Sequence, residues 1–173
     1  MTTSLPMEGV DVAFLPEDFD VPTLVAGPSF RIRPLTVHDV VKDYDAVMST
    51  REMLWEQFGE RFGWPGVDLT LEQALIDIAW LQKEGQLRRS FTYAVLSVDE
   101  ERMIGRIQIL PPRQSGVDAG VLFWMRRDVT GTALADELTD FVEEWAISAW
   151  PFKTICFPGR DLSWSDWLTS RSS

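Results

Sequence analysis

Phe123-Trp124-Met125-Arg126-Arg127-Asp128-Val129-Thr130-Gly131-Thr132-Ala133-Leu134-Ala135-Asp136-Glu137-Leu138 decides how this chain is read. An apolar run breaks into a turn of small residues and re-emerges as an amphipathic pattern, which is how a strand delivers bare backbone amides to a helix start. Such amides, backed by about half a positive charge from the helix dipole, attract an anion whatever the side chains. The turn holds one glycine, Gly131, where a generous phosphate cradle has two or three.

Upstream, Asp118 to Met125 reads as a strand, nearly all apolar at its end and so central and covered on both faces. Downstream, Leu134, Leu138, Phe141, Val142 and Trp145 form the buried stripe of a helix, with Asp136, Glu137, Asp140, Glu143 and Glu144 mostly on its wet side. Trp150-Pro151 closes that helix, Lys153 to Phe157 is a last short strand, and Asp161 to Leu168 a Trp-rich terminal turn or helix. Before the quoted stretch, Phe91 to Val98 and Met103 to Leu110 make a hairpin about the turn Asp99-Glu100-Glu101-Arg102.

Phe30-Arg31-Ile32-Arg33-Pro34-Leu35 alternates apolar with basic and predicts a half-buried strand. Thr36 with Asp39 predicts a capping box opening a helix striped by Val37, Val40, Val41, Tyr44, Val47 and Met48. Thr70 with Gln73 opens a second, striped by Leu71, Ala74, Leu75, Ile78 and Leu81, and residues 51 to 68 read as a loop between the two. Residues 1 to 28 are an irregular lead-in, held on the body and over a sheet edge by Phe14, Leu15, Phe19 and Val21. Residues 29 to 173 form a single domain. The order β-α-α-β-β-β-α-β is an α+β pattern in which the final strand-helix-strand unit requires parallel pairing.

Composition narrows the function. With 16 Lys and Arg against 27 Asp and Glu, a net charge of -11 argues against any groove that tracks nucleic acid. An acidic field draws in cations such as amines, although a solvated surface explains it equally. Cys156 stands alone, which excludes an internal disulfide and points to a reducing, cytoplasmic setting. One His and one Cys cannot build a typical Cys/His metal site, so no metal is expected. No apolar run approaches the roughly 18 residues of a membrane span, and the N-terminus shows no signal-peptide pattern. The eight Trp need a core, a cleft or an interface to bury them.

The order of elements, with Phe30 to Leu35 opening and the strand-turn-helix of residues 119 to 149 near the end, resembles the GNAT superfamily of N-acetyltransferases. The similarity spans roughly residues 30 to 168. Trp124 to Ala135 lines up without a gap on the family's strand and its Arg/Gln-x-x-Gly-x-Gly/Ala loop. Thr130 then takes the Arg/Gln place, Ala133 the middle Gly and Ala135 the final small residue. A register with Asp128 at the first place would oppose a phosphate. Arg126 or Arg127 are the neighbouring cations able to replace the missing Arg.

The resemblance implies a mixed twisted sheet with flanking helices and a shortened C-terminal end. It implies acetyl-CoA as co-substrate, lying on Phe123, Trp124 and Met125, with its pyrophosphate on the amides of Thr130, Gly131, Thr132, Ala133, Leu134 and Ala135. It further implies a small-molecule or peptide amine as acceptor, attacking the thioester directly. Asp118 is the nominal base, although a solvated acid at a strand start explains it as well. Trp55 and Trp64 are expected at an aromatic acceptor pocket, and Arg160 and Asp161 at the mouth of the cleft. The family's usual Tyr acid has no counterpart, because Tyr44 and Tyr93 both precede the motif, and the short C-terminal end leaves a sheet edge for a second copy, hence a homodimer. His38 reads as an exposed residue of a first helical turn and Cys156 as a packing thiol. The competing readings are a GNAT-fold binding or assembly protein without turnover, and a different α+β domain.

Overall fold

The computed structural model describes residues 13 to 169. Six strands form one sheet whose spatial order follows the chain: β1 (Val25–Ala26), β2 (Arg31–Pro34), β3 (Phe91–Leu96), β4 (Met103–Leu110), β5 (Ala119–Met125) and β6 (Ile155–Cys156). β1 to β5 pair antiparallel in turn, and β6 pairs parallel with β5, the direction that the crossover through a helix allows. This is the α+β, GNAT-like architecture expected from the order of elements.

The helices divide between the two faces. α1 (Val40–Ser49), α2 (Arg51–Leu54), α3 (Glu60–Phe62) and α4 (Leu71–Gln86) lie between β2 and β3 in sequence, and α5 (Ala133–Ser148) joins β5 to β6. A six-residue α6 (Trp164–Thr169) follows. One core lies under α5, where Phe123, Val121, Leu138, Val142 and Trp145 meet Tyr93 and Trp150. The other lies under α1 and α4, where Val47, Leu54, Phe58 and Ile78 meet Leu96 and Trp124. Because side chains alternate along a strand, Phe123 and Trp124 belong to opposite faces.

The capping residues act as expected. Thr70 accepts the Gln73 amide at 3.1 Å, and the Asp39 carboxylate accepts the Thr36 amide at 2.9 Å. Burial alone would lift the Asp39 carboxyl, yet Arg33, 2.8 Å away, and that amide hold it below its ordinary value. In the described part of the lead-in, Leu15 is buried, Phe14 stacks on Phe91 and Phe152, and the Arg88 guanidinium donates to the carbonyls of Pro16 and Phe19. Residues 25 and 26, expected to be irregular, form β1 on the sheet edge. Residues 1 to 12 lie outside the described part.

Three expectations are corrected. Residues 51 to 62 are helical, not a loop, with a π-turn over Trp55–Gly59 joining α2 to α3, because Leu54 and Phe58 sit one turn apart and are both buried. Gly63 ends this arm with a φ of 64°, so it is the C-terminal stop while Gly59 is carried inside. The last strand shrinks to two residues because the Asp118 side chain, not a ladder, takes the amides of Lys153 and Thr154. Val41, Leu71 and Leu75, assigned to buried stripes, are exposed, as are Trp55 and Trp80.

Candidate active site

β5 and β6 are in register at two places, Ala119 with Ile155 and Gly120 with Cys156. Beyond them β6 turns away: the Phe157 carbonyl accepts the amides of Arg160 and Asp161 at 2.9 and 3.1 Å. Asp161 fixes that turn by accepting the Phe157 amide at 2.6 Å. From Val121 to Met125, β5 therefore has no strand on its outer side, and a wedge opens toward the start of α5.

The loop from Met125 to α5 is wound tightly from within. Val129 and Thr130 donate their amides to the Arg126 carbonyl, and Thr132 donates its own to Val129. Thr132 is the N-cap, its hydroxyl accepting the Ala135 amide at 3.4 Å. Gly131 takes a φ of 78°, a left-handed conformation that a side chain would strain. Between Arg126 and Asp136 the amides of Asp128, Gly131, Ala133 and Leu134 have no partner among the described residues. Three of these free donors lie together at the start of a sixteen-residue helix, where Gly131 and Ala133 are exposed. The Thr130 hydroxyl, by contrast, donates back to the Arg126 carbonyl, and the Ala135 amide is used by the cap.

The nearby cations are spoken for to different degrees. Arg126 is buried, pairing with Asp45 at 2.7 Å and donating to the Ser49 hydroxyl at 3.2 Å, so it turns toward α1. Asp128 pairs with Arg102 and with Arg126. Arg127 is exposed and reaches Glu52 at 3.5 Å. An open hollow of about 400 Å³ lies among Ser49, Arg126, Arg127 and Asp128. Arg160 lies over the Phe123 ring, 3.6 Å from its centroid, inside the wedge on the α5 side.

On the opposite face, residues Gly120, Leu122 and Trp124 of β5 look toward the helical arm. Trp64 meets Trp124 at 6.4 Å and Phe58 at 6.0 Å, and Trp164 of α6 meets Phe58 at 5.6 Å and Phe62 at 5.9 Å. This is an aromatic wall, and Trp64 belongs to it. Trp55 stands outside, exposed and laid along its own helix against Gly59. Trp167 is buried on Gly120, where a Cβ would come within 2.3 Å of its ring.

Sequence reasoning missed the centre of this face. Arg106 of β4 lies over both Trp64 and Trp124, 5.6 and 5.7 Å from their centroids, and pairs with Asp43 of α1 at 2.5 Å. Both are buried. The signal was present as an Arg in an otherwise apolar strand and an Asp inside a helix stripe, since buried charges come in pairs.

The remaining candidates sit apart. Asp118 lies at the closed end of the wedge, where the amides of Thr154 and Lys153 hold its exposed carboxyl below the usual range. That is the geometry of a cross-strand bracket, not of a base facing a cleft. Cys156 is buried with its thiol 3.7 Å from the Ala119 carbonyl; burial, then Asp161, pushes it up to about 11, which suits packing. The Tyr44 and Tyr93 hydroxyls donate to the carbonyls of Leu69 and Pro22 at 2.8 and 2.7 Å. Burial raises the Tyr93 phenol further from any proton exchange. His38 is exposed.

Solved structures share this fold. A ribosomal-protein-S5-alanine acetyltransferase from Vibrio fischeri superimposes with a TM-score of 0.56 at 14% identity, over 74% of this chain and 69% of that one. A ribosomal L7/L12 α-N-protein acetyltransferase in complex with coenzyme A gives 0.53 at 13% identity, over 70% and 66%. At these identities the likeness establishes the fold, which is that of the GNAT acetyltransferases, and the chain spans about two thirds of the length of those proteins. No family model matches the sequence, and no curated protein matches it either. Among the described residues no helix is long and apolar enough to cross a membrane.

Proposed function

We propose that this chain is an N-acetyltransferase that moves an acetyl group from acetyl-CoA to an amine. The observation that carries the reading is the set of unpartnered amides at Gly131, Ala133 and Leu134 beside two parallel strands that part. Those amides suit a diphosphate, and the unpaired edge of β5 suits an amide-bearing arm and a thioester carbonyl. The amine nitrogen then bonds to the carbonyl carbon, the C–S bond breaks, and the nitrogen's proton passes to water. The aromatic wall about Trp64 would receive the acceptor. That the structural neighbours are described as acting on ribosomal proteins favours a protein or peptide amine. The lone Cys, which allows no internal disulfide, favours a reducing compartment such as the cytoplasm.

A second reading, a coenzyme-binding or assembly protein without turnover, is favoured by one observation. The acceptor-facing residues of β5, Gly120, Leu122 and Trp124, include no carboxylate, and both tyrosine hydroxyls are engaged elsewhere.

Melting with acetyl-CoA separates these readings. Ligand at about a hundred times its dissociation constant adds ~2.7 kcal/mol, which is roughly 5 to 10 °C for a domain of this size. Absence of any shift at millimolar ligand removes the coenzyme from the reading. A shift without thioester loss over a panel of amines and basic peptides selects the binding protein.

Gly131→Glu sharpens the location. It sets a carboxylate beside the free amides, so acetyl-CoA affinity falls on the order of a hundredfold, while the left-handed backbone there costs about 1–2 kcal/mol of stability. Calorimetric titration reads the first and urea unfolding the second. Undiminished affinity would put the coenzyme at another place on the molecule.

A further inference from the structure

The turn after β6 carries a charge that the fold leaves unpaired. Its backbone is fixed on both sides, because the Phe157 carbonyl takes the amides of Arg160 and Asp161 while the Asp161 carboxylate takes the Phe157 amide. From this anchor the Arg160 guanidinium carbon lies over Phe123, 3.6 Å from the ring centroid. A ring face attracts a cation but offers no acceptor to its five N–H groups. Among the described residues the Arg160 side chain has no hydrogen bond and no ion pair. Partial burial lowers its affinity for a proton, and Glu143 opposes this from a distance without pairing.

Arg160 is itself exposed, and it differs in its pairing from the more buried arginines. Arg33, Arg106 and Arg126 reach carboxylates at 2.8, 2.5 and 2.7 Å. In a chain with 27 acidic residues against 16 basic ones, a partly desolvated cation without a carboxylate is a vacancy for an outside anion.

We infer that Arg160 receives a phosphate of the coenzyme held in the wedge, replacing the cation that Thr130 cannot supply. This rests on the acetyl-CoA reading above. Two anions could fill the role, a coenzyme phosphate or a carboxylate of the acceptor. The face decides between them: Phe123 belongs to the core under α5, whose first turn holds the free amides, whereas the aromatic wall lies on the other side of the sheet. A guanidinium also meets a phosphate through two parallel N–H bonds, a geometry that an ammonium lacks.

The test is a titration of the full chain with coenzyme A, for the natural protein, R160M and R160K, together with the NMR signal of the Arg160 Nε–H. R160M is expected to weaken coenzyme A binding by about tenfold or more, with partial recovery in R160K. The Nε–H signal is expected to move with coenzyme A and with inorganic diphosphate, and not with acetate. Unchanged or tighter binding by R160M overturns the inference, the tighter result meaning that the guanidinium merely fills the wedge. Movement with acetate alone overturns it too, in favour of an acceptor carboxylate. Coenzyme A binding that survives R160M yet falls in Gly131→Glu sinks this inference alone, and no coenzyme A binding by the natural protein sinks the coenzyme reading with it.

Discussion

Asp43→Ala lowers the unfolding free energy by about 3–5 kcal/mol, a large part of what a domain of this kind possesses. The Asp43 carboxylate is buried and takes two guanidinium nitrogens of Arg106, at 2.5 and 3.2 Å. Removing it leaves a full positive charge over Trp64 and Trp124, with those two ring faces as its neighbours among the described residues. Ring faces return about 1–2 kcal/mol each at best, less than the desolvation of a guanidinium. Urea unfolding of Asp43→Ala and of the double variant Asp43→Leu with Arg106→Met checks the cause. The double variant should recover most of the loss, because replacing both partners by apolar groups of similar volume is close to neutral. A single-variant loss under about 1 kcal/mol would mean that water reaches the guanidinium.

Trp167→Ala is the second large effect, with an expected cost of about 3–5 kcal/mol. This side chain is 1% exposed although it belongs to a helix of six residues, too short to be stable by itself. What holds α6 is the seat on Gly120 together with the edge contacts of Trp164 against Phe58 and Phe62. Gly120→Val should therefore resemble Trp167→Ala, since its side chain would occupy the space of the indole. Amide exchange distinguishes docking from a general loss: both variants should expose α6 and the Phe58 region before the β3–β4 ladder. Equal acceleration of exchange across α6 and the sheet would instead show a general loss, in which α6 and the core open together.

The sheet was legible because its signals are local. Alternation fixed β2, an apolar run fixed β5, and Thr70 fixed the start of α4 through a bond three residues long. The helical arm of residues 51 to 62 was not, since Gly59 reads as a break in isolation. Its place inside a helix depends on Leu54 and Phe58 finding a core made largely by distant residues. The turn before α5 was legible as backbone, because amide geometry needs little side-chain identity. The side chains around it were harder to read: Arg126 looks available in sequence, and only the approach of α1 brings Asp45 to claim it. Asp118 shows the same limit, its two amide partners lying 35 and 36 residues away.

Pro34 and Tyr93 face each other across the β2–β3 ladder, yet α1 to α4 all lie between them in the chain. The segment from residue 35 to residue 90 thus leaves the sheet and returns to the neighbouring strand, carrying most of one wall of the cleft, while the free amides and the parted strands are encoded downstream of it. Recombination can exchange that cassette without rewriting the other half. A viable graft has to match the pairs that cross the junction, among them Asp43 with Arg106, Asp45 with Arg126, Arg33 with Asp39 and Phe58 with Trp164, and with those kept the downstream half can carry a different aromatic wall.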